Sequence, residues 1–149
     1  VLETVKKLRW KPDIIHCQGW ISHLVPIYLK KAYKDDPIFA DSKLILSLYD
    51  EVADEPFAAD MASKGTVPGI KAKDLEILKN PNGINLAKLA IQYANGIIIG
   101  SNALNTEIAD AVANSGLPVL PYIDIDDPQN AYIEKYNSFY DQILSNNAI

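Results

Sequence analysis

The strongest constraint on this chain is a rhythm. Short runs of β-branched and other apolar residues recur, and each is followed by a stretch of helical period. The runs lie at 14–17 (Ile-Ile-His-Cys), 44–49 (Leu-Ile-Leu-Ser-Leu-Tyr), 97–99 (Ile-Ile-Ile) and 119–123 (Val-Leu-Pro-Tyr-Ile). They suit the buried strands of a parallel sheet. The intervening helices are read from apolar residues three and four apart. One has Trp20, Leu24, Ile27, Tyr28 and Lys31 at helical spacing and runs to about residue 34. A short helix is expected at 70–78. The next carries Leu86, Leu89, Ala90 and Tyr93, and another, capped by Ser101 or Asn102, carries Leu104, Ile108, Ala111 and Val112. A helix also opens the chain, with Val1, Val5 and Leu8 on one face, and its natural start is expected upstream. A last helix at 131–144 bears an aromatic stripe of Tyr132, Tyr136, Phe139 and Tyr140. Strands alternating with helices imply a three-layer α/β fold: a mainly parallel sheet of about four strands with helices on both faces.

The punctuation agrees with that division. Pro12 and Pro37 end the first two helices, Gly96 and Gly100 bound the third strand, and Gly116-Leu117-Pro118 precedes the fourth. Pro121 cannot donate to a ladder, so the fourth strand is expected at an edge or terminus. Residues 50–68 show no clear period and hold Asp50, Glu51, Asp54, Glu55 and Asp60. They read as a long mobile loop with one helical turn around 57–61. Asp124, Asp126, Asp127 and Pro128 form an acidic linker. The expected organisation is a body over 1–127 and a C-terminal helix over 128–149 packing on it.

Composition excludes several function classes. With 14 Lys+Arg against 19 Asp+Glu the net charge is -5, which disfavours nucleic-acid binding through phosphate neutralisation. A single Cys17 cannot form an internal disulfide, and with only two His a Cys/His zinc site is nearly excluded. No metal and no cofactor are expected. No apolar run approaches about 18 residues, and residues 1–9 lack a signal-peptide core, so the expected location is the cytoplasm, away from membranes. No Gly-rich phosphate loop occurs, and Ser101 lacks the glycines of a hydrolase elbow. His23, alone on a helix, reads as a surface or packing residue.

In open parallel sheets, ligands sit outside the carboxyl ends of the strands. That rule selects His16, Gln18, Gly19 and Trp20 after the first strand, Tyr49 and Asp50 after the second, and Ser101 after the third. The stretch from His16 to Trp20 has two readings. One is a polar cluster at a helix N-terminus, suited to an anion or a sugar hydroxyl. The other is a helix cap with Trp20 as core filler. The aromatic stripe of the last helix is most simply a packing face, with a sugar-stacking platform as the alternative.

The run Lys11-Pro12-Asp13-Ile14-Ile15-His16-Cys17-Gln18-Gly19-Trp20, followed by Leu24-Val25-Pro26-Ile27-Tyr28-Leu29, resembles bacterial glycogen synthases and starch synthases. That family carries a similar P-D-hydrophobic-hydrophobic-H-x-H-D-W stretch before a helix with a Pro and a Tyr-Leu. Four more stretches fit in the same order. Leu46 to Asp50 resembles a strand ending in T-V-H-N, and Ile84 to Lys88 an I-N-x-x-K helix start. Ala94 to Ser101 with Glu107-Ile108 resembles an A-D…V-S…E-I segment, and Leu120 to Asp124 an L-N-G-I-D turn.

The resemblance implies part of a glycosyltransferase-B fold, in which two Rossmann-like halves enclose a cleft. This chain would be the later part of the N-terminal, acceptor-side half, without the opening K-x-G-G strand and without the half that chiefly binds the nucleotide sugar. The implied reaction moves glucose from ADP-glucose or UDP-glucose to the end of an α-1,4-glucan, with retention, and the isolated chain is expected to be inactive. Gln18 stands at the position of the family's catalytic His, and Gly19 at that of its Asp. Tyr49 and Asp50 replace a strand-end His and Asn, and Pro121 and Tyr122 replace an Asn and Gly. The strand scaffold is kept while the polar tips differ. Two other readings stay open: a non-catalytic module that binds glucan or a partner enzyme, and a different sugar-nucleotide or small-molecule binder. Without the early strands, strand 14–17 loses a neighbour. Another copy of the chain, giving a homo-oligomer, or a relocated segment is expected to cover that edge.

Overall fold

The structure is a computed structural model describing residues 1–53, 55–126, 128–129 and 131–146. Asp54 and Asp127, parts of the expected loop and linker, lie outside the described residues. Four strands form one sheet: β1 (Ile14–Gln18), β2 (Lys43–Leu48), β3 (Gly96–Ile99) and β4 (Val119–Leu120). Their order is β1-β2-β3-β4 and every pairing is parallel, with Ile14 opposite Lys43, Ile45 opposite Gly96 and Ile97 opposite Val119. β4 is two residues long because Pro121 follows.

This strand order decides how the sheet is covered. Each crossover steps one strand in the same direction, and right-handed crossovers then place all their helices on one face. Side chains alternate along each strand, so the two faces can be read separately. Cys17, Leu44, Leu46, Leu48 and Ile97 point to the crossover face. There they meet Ala87, Ala90 and Ile91 of α4 (Gly83–Tyr93) and Ile108 and Val112 of α5 (Thr106–Asn114). Ile45 and Ile98 point the other way, with Ile14 and Leu120 beside them. That second face is covered by α6 (Tyr132–Ser145) through Phe139 and Ile143. Gly96 lets α6 come close, since a Cβ there would lie 2.6 Å from Ile143 Cδ1. Helices thus lie on both faces of an all-parallel sheet, as expected.

The local elements depart from the expectation in five places. At the N-terminus α1 (Leu2–Lys7) turns Leu2 and Val5 inward, while Val1 and Leu8 are exposed. The single helix expected over 20–34 is three pieces: a 3-10 turn (Trp20–Ser22), a short α2 (Val25–Ile27) and a π turn (Tyr28–Ala32). Pro26 sits in the first turn of α2, the one helical place that tolerates its missing N–H. The helical turn in the 50–68 segment is α3 (Met61–Lys64), later than expected, and 70–78 becomes a 3-10 stretch (Ala72–Lys79). Finally α5 is capped by Asn105, whose Oδ1 accepts the Glu107 N–H at 3.0 Å, and not by Ser101 or Asn102.

A second cluster fills the space outside α4. Ile27, Ile70, Leu75 and Leu78 pack there against Leu86 and Leu89. The edge of β1 is half-buried at Ile14 and Ile15: α6 covers one and the main core the other.

Candidate functional site

The carboxyl ends of β1, β2 and β3 lie side by side, so the residues that leave them share one rim. Gln18 ends β1 and is exposed, with Ser47 opposite it in the ladder. Gly19 follows with φ +74° and ψ 154°, a backbone state that residues with a Cβ rarely adopt. That kink starts the 3-10 turn, where Ser22 Oγ donates to Gly19 O at 2.8 Å. Trp20 is half-buried and stacks on Phe57 with ring centroids 5.6 Å apart. Phe57 is itself tied down, its N–H donating to Pro81 O at 2.8 Å. The long 50–68 segment is therefore pinned beside the β1 turn at Phe57.

The tips of β2 and β3 are joined directly. The Asp50 N–H donates to Ser101 Oγ at 3.0 Å, and α5 begins at Thr106, beyond Ser101's reach as a cap. Tyr49 lies over Gly100, where a Cβ would stand 2.8 Å from the ring Cζ. Asp50 is exposed, and Tyr49 and Ser101 are half-buried.

His16 has a different setting. It points to the α6 face, where one ring nitrogen meets Ser47 Oγ at 2.7 Å and the other meets Tyr140 Oη at 2.8 Å. A neutral imidazole has one donor and one acceptor nitrogen, and a hydroxyl can serve either. Burial lowers the His16 pKa from its ordinary value, so the ring is held neutral. His16 is thus a fixed polar strut between β2 and α6, with both nitrogens engaged. Sequence reasoning missed its two partners. Ser47 carried a signal, as the lone hydroxyl in an apolar strand; Tyr140 carried none that separated it from the rest of its stripe.

The other titratable candidates are sequestered. His23 is 5% exposed and neither ring nitrogen has a hydrogen-bond partner among the described residues. Burial pulls its pKa down to about 4. It is a packing residue on the crossover side. Cys17 is buried and its thiol is pushed up to about 11, mainly by desolvation. Among the described residues no group of three or more His, Cys, Asp or Glu could hold a metal ion. No helix among them is long and apolar enough to cross a membrane.

A family model described as the starch synthase catalytic domain matches residues 1–120, taking in all four strands and ending with β4. The chain belongs to this family. It is 32% identical over 113 residues to the glycogen synthase of Clostridium perfringens, covering 72% of this chain and 22% of that protein. It is 33% identical over 118 residues to glycogen synthase 2 of Geobacter metallireducens, covering 78% of this chain and 24% of the relative. A shorter match to the glycogen synthase of Chlorobium limicola reaches 47% over 49 residues. The chain spans less than a quarter of the length of these relatives. No solved structure matches. The chain is thus a starch synthase-family segment built on a parallel α/β sheet, and helix α6 lies beyond the matched residues.

Proposed function

We propose that this chain is the acceptor-side part of a glycogen/starch synthase-like glycosyltransferase of the glycosyltransferase-B type, working in the cytoplasm. In the complete enzyme, glucose passes from ADP-glucose or UDP-glucose to an α-1,4-glucan held at the strand-carboxyl rim. One observation carries this reading. The residues within the family match build the sheet, and the polar residues the sequence selects leave it at one end: Gln18, Gly19 and Trp20 beside Tyr49, Asp50 and Ser101. Exposed polar tips next to a half-buried indole suit a sugar, whose hydroxyls need hydrogen bonds and whose ring face needs an apolar platform.

Gln18, at the position of the family's catalytic His, is exposed and can donate and accept hydrogen bonds but cannot carry a proton as a cation. Its role is to orient a sugar hydroxyl or carbonyl-like oxygen. His16 does not take over the missing cation, because Ser47 and Tyr140 already occupy both nitrogens and burial keeps it neutral. Transfer also needs donor and acceptor held together. The chain alone therefore transfers no glucose. Incubation with ADP-glucose or UDP-glucose and glycogen tests this, and turnover above a heat-killed control refutes it.

The neutral, fully bonded His16 also favours a second reading, a non-catalytic glucan-binding module derived from the family. Transfer by the full-length protein, lost in a rim variant, selects the enzyme. Glucan binding by a full-length protein that never transfers glucose selects the module.

A further inference from the structure

A second basin lies at the opposite end of the sheet from the rim. Lys30 Nζ donates to Ser42 O at 3.2 Å, immediately before β2 begins. Lys31 Nζ stands 5.9 Å from the ring centroid of Tyr93, the last residue of α4 and three residues before β3. Both contacts place the basin beside the amino ends of the strands. Its cavity is about 630 Å³, within the range of small-ligand sites.

The lining is unusual for a chain of net charge -5. Lys30, Lys31, Lys34, Lys71 and Lys73 border it, facing only the carboxylates of Asp35 and Asp74. Asp74 is already engaged, with Lys31 at 3.3 Å and with the Lys71 N–H at 2.9 Å. Lys34, Lys71 and Lys73 form no ion pair among the described residues. Like charges gathered in one concavity repel, so an anion placed among them gains from every one.

The walls are built features. One is the π turn Tyr28–Ala32, which carries Lys30 and Lys31; such turns are rare and frequent at functional sites. Against it packs Gly69 at φ +94°, where a Cβ would lie 2.8 Å from Lys31 O and 2.9 Å from Ala32 Cα. Only glycine permits that approach, and it fixes the two lysine-bearing segments against each other. Lys30 is half-buried, and desolvation together with the nearby Lys43 lowers its pKa. A bound anion would relieve both effects.

We infer that this basin binds a small phosphate-bearing anion, with Lys34, Lys71 and Lys73 contacting the phosphate oxygens and Lys30 and Lys31 forming the floor. The occupant is small because the charge is confined to a cavity and does not extend as a stripe over an acidic molecule. It is charged because a neutral glucan would leave the ammonium groups unmatched. The site is separate from the rim, so either can fail without the other.

Calorimetric titration of the 149-residue chain with inorganic pyrophosphate, ADP and glucose 1-phosphate, with maltose as neutral control, tests the proposal. Saturable binding of at least one phosphate compound is expected, weakening as salt rises. The strongest of the three identifies the source: bare phosphate, nucleotide or sugar phosphate. The triple variant Lys34→Gln, Lys71→Gln, Lys73→Gln should bind roughly tenfold or more weakly while keeping its urea midpoint, because none of the three is ion-paired. The control pair Lys64→Gln, Lys79→Gln should bind as the parent does. If the triple variant loses its fold, each single substitution should still weaken binding. No saturable binding at millimolar concentration, or equal affinity in parent and variants, overturns the site.

Discussion

At the scale of single residues, Gln18 and His23 make opposite predictions. Gln18 is exposed at a strand end, so Gln18→His should change stability by no more than about 0.5 kcal/mol in urea denaturation. It should also create no glucose transfer, since Gly19, Tyr49 and the neutral His16 remain. A variant that unfolds would mean that Gln18 is structural. His23 is buried with no hydrogen-bond partner among the described residues, and burial pulls its pKa from the ordinary 6.5 down to about 4. A depressed histidine stabilises the fold in its neutral form. Its contribution is complete above about pH 6.5 and is lost as pH falls through the folded value near 4. Between pH 7 and pH 5 the loss should be about 2 kcal/mol. His16 shifts in the same direction and adds to the slope. In His23→Leu the acid loss should shrink while neutral-pH stability holds, because an unpartnered polar group has been removed. An unchanged pH slope would show that His23 titrates normally.

At the scale of elements, α6 rests on Phe139 of its stripe and on Ile143 one turn later. Phe139 and Ile143 are buried against Ile45 and Ile98, whereas Tyr132 is 38% exposed. Phe139→Ala should therefore cost about 3–5 kcal/mol in urea denaturation, and Tyr132→Ala no more than about 0.5 kcal/mol. Equal effects would mean that the helix is not seated as described. The elements also show what a sequence makes legible. The four strands are readable within a residue or two at most ends because each apolar run is bounded by Pro or Gly, or, for 44–49, by the polar residues Ser42-Lys43 and Asp50-Glu51. The 20–34 segment was misread as one helix because Trp20, Leu24, Ile27 and Lys31 do recur at helical spacing. Trp20, Leu24 and Ile27 pack into one cluster from successive turns of different pitch, and periodicity cannot separate those from one helix. The cap of α5 falls at Asn105 and not at Ser101 or Asn102 because the helix begins only at Thr106; Ser101 Oγ accepts instead from the Asp50 N–H, a contact across 51 residues. The His16–Tyr140 bond spans 124 residues and depends on which face α6 covers, so no local pattern encodes it.

At the scale of the molecule, strand order separates two kinds of surface. The carboxyl ends carry the exposed polar tips and the stacked Trp20, and the amino ends carry the lysine basin. The rim was selected from sequence by one topological rule. The basin was not, because Lys30 and Lys31 sit some forty residues from Lys71 and Lys73, and the close approach at Gly69 and the Lys31–Asp74 ion pair that join the segments are tertiary contacts. The central claim is that the rim holds a glucan. An amide-resolved NMR titration of the 15N-labelled chain with maltoheptaose addresses it most directly. Saturable shifts at Gln18, Gly19, Asp50, Ser101 and the Trp20 indole are predicted, with Lys71 and Lys73 unmoved. Shifts confined to other surfaces, or none at the rim up to saturating glucan, would contradict it.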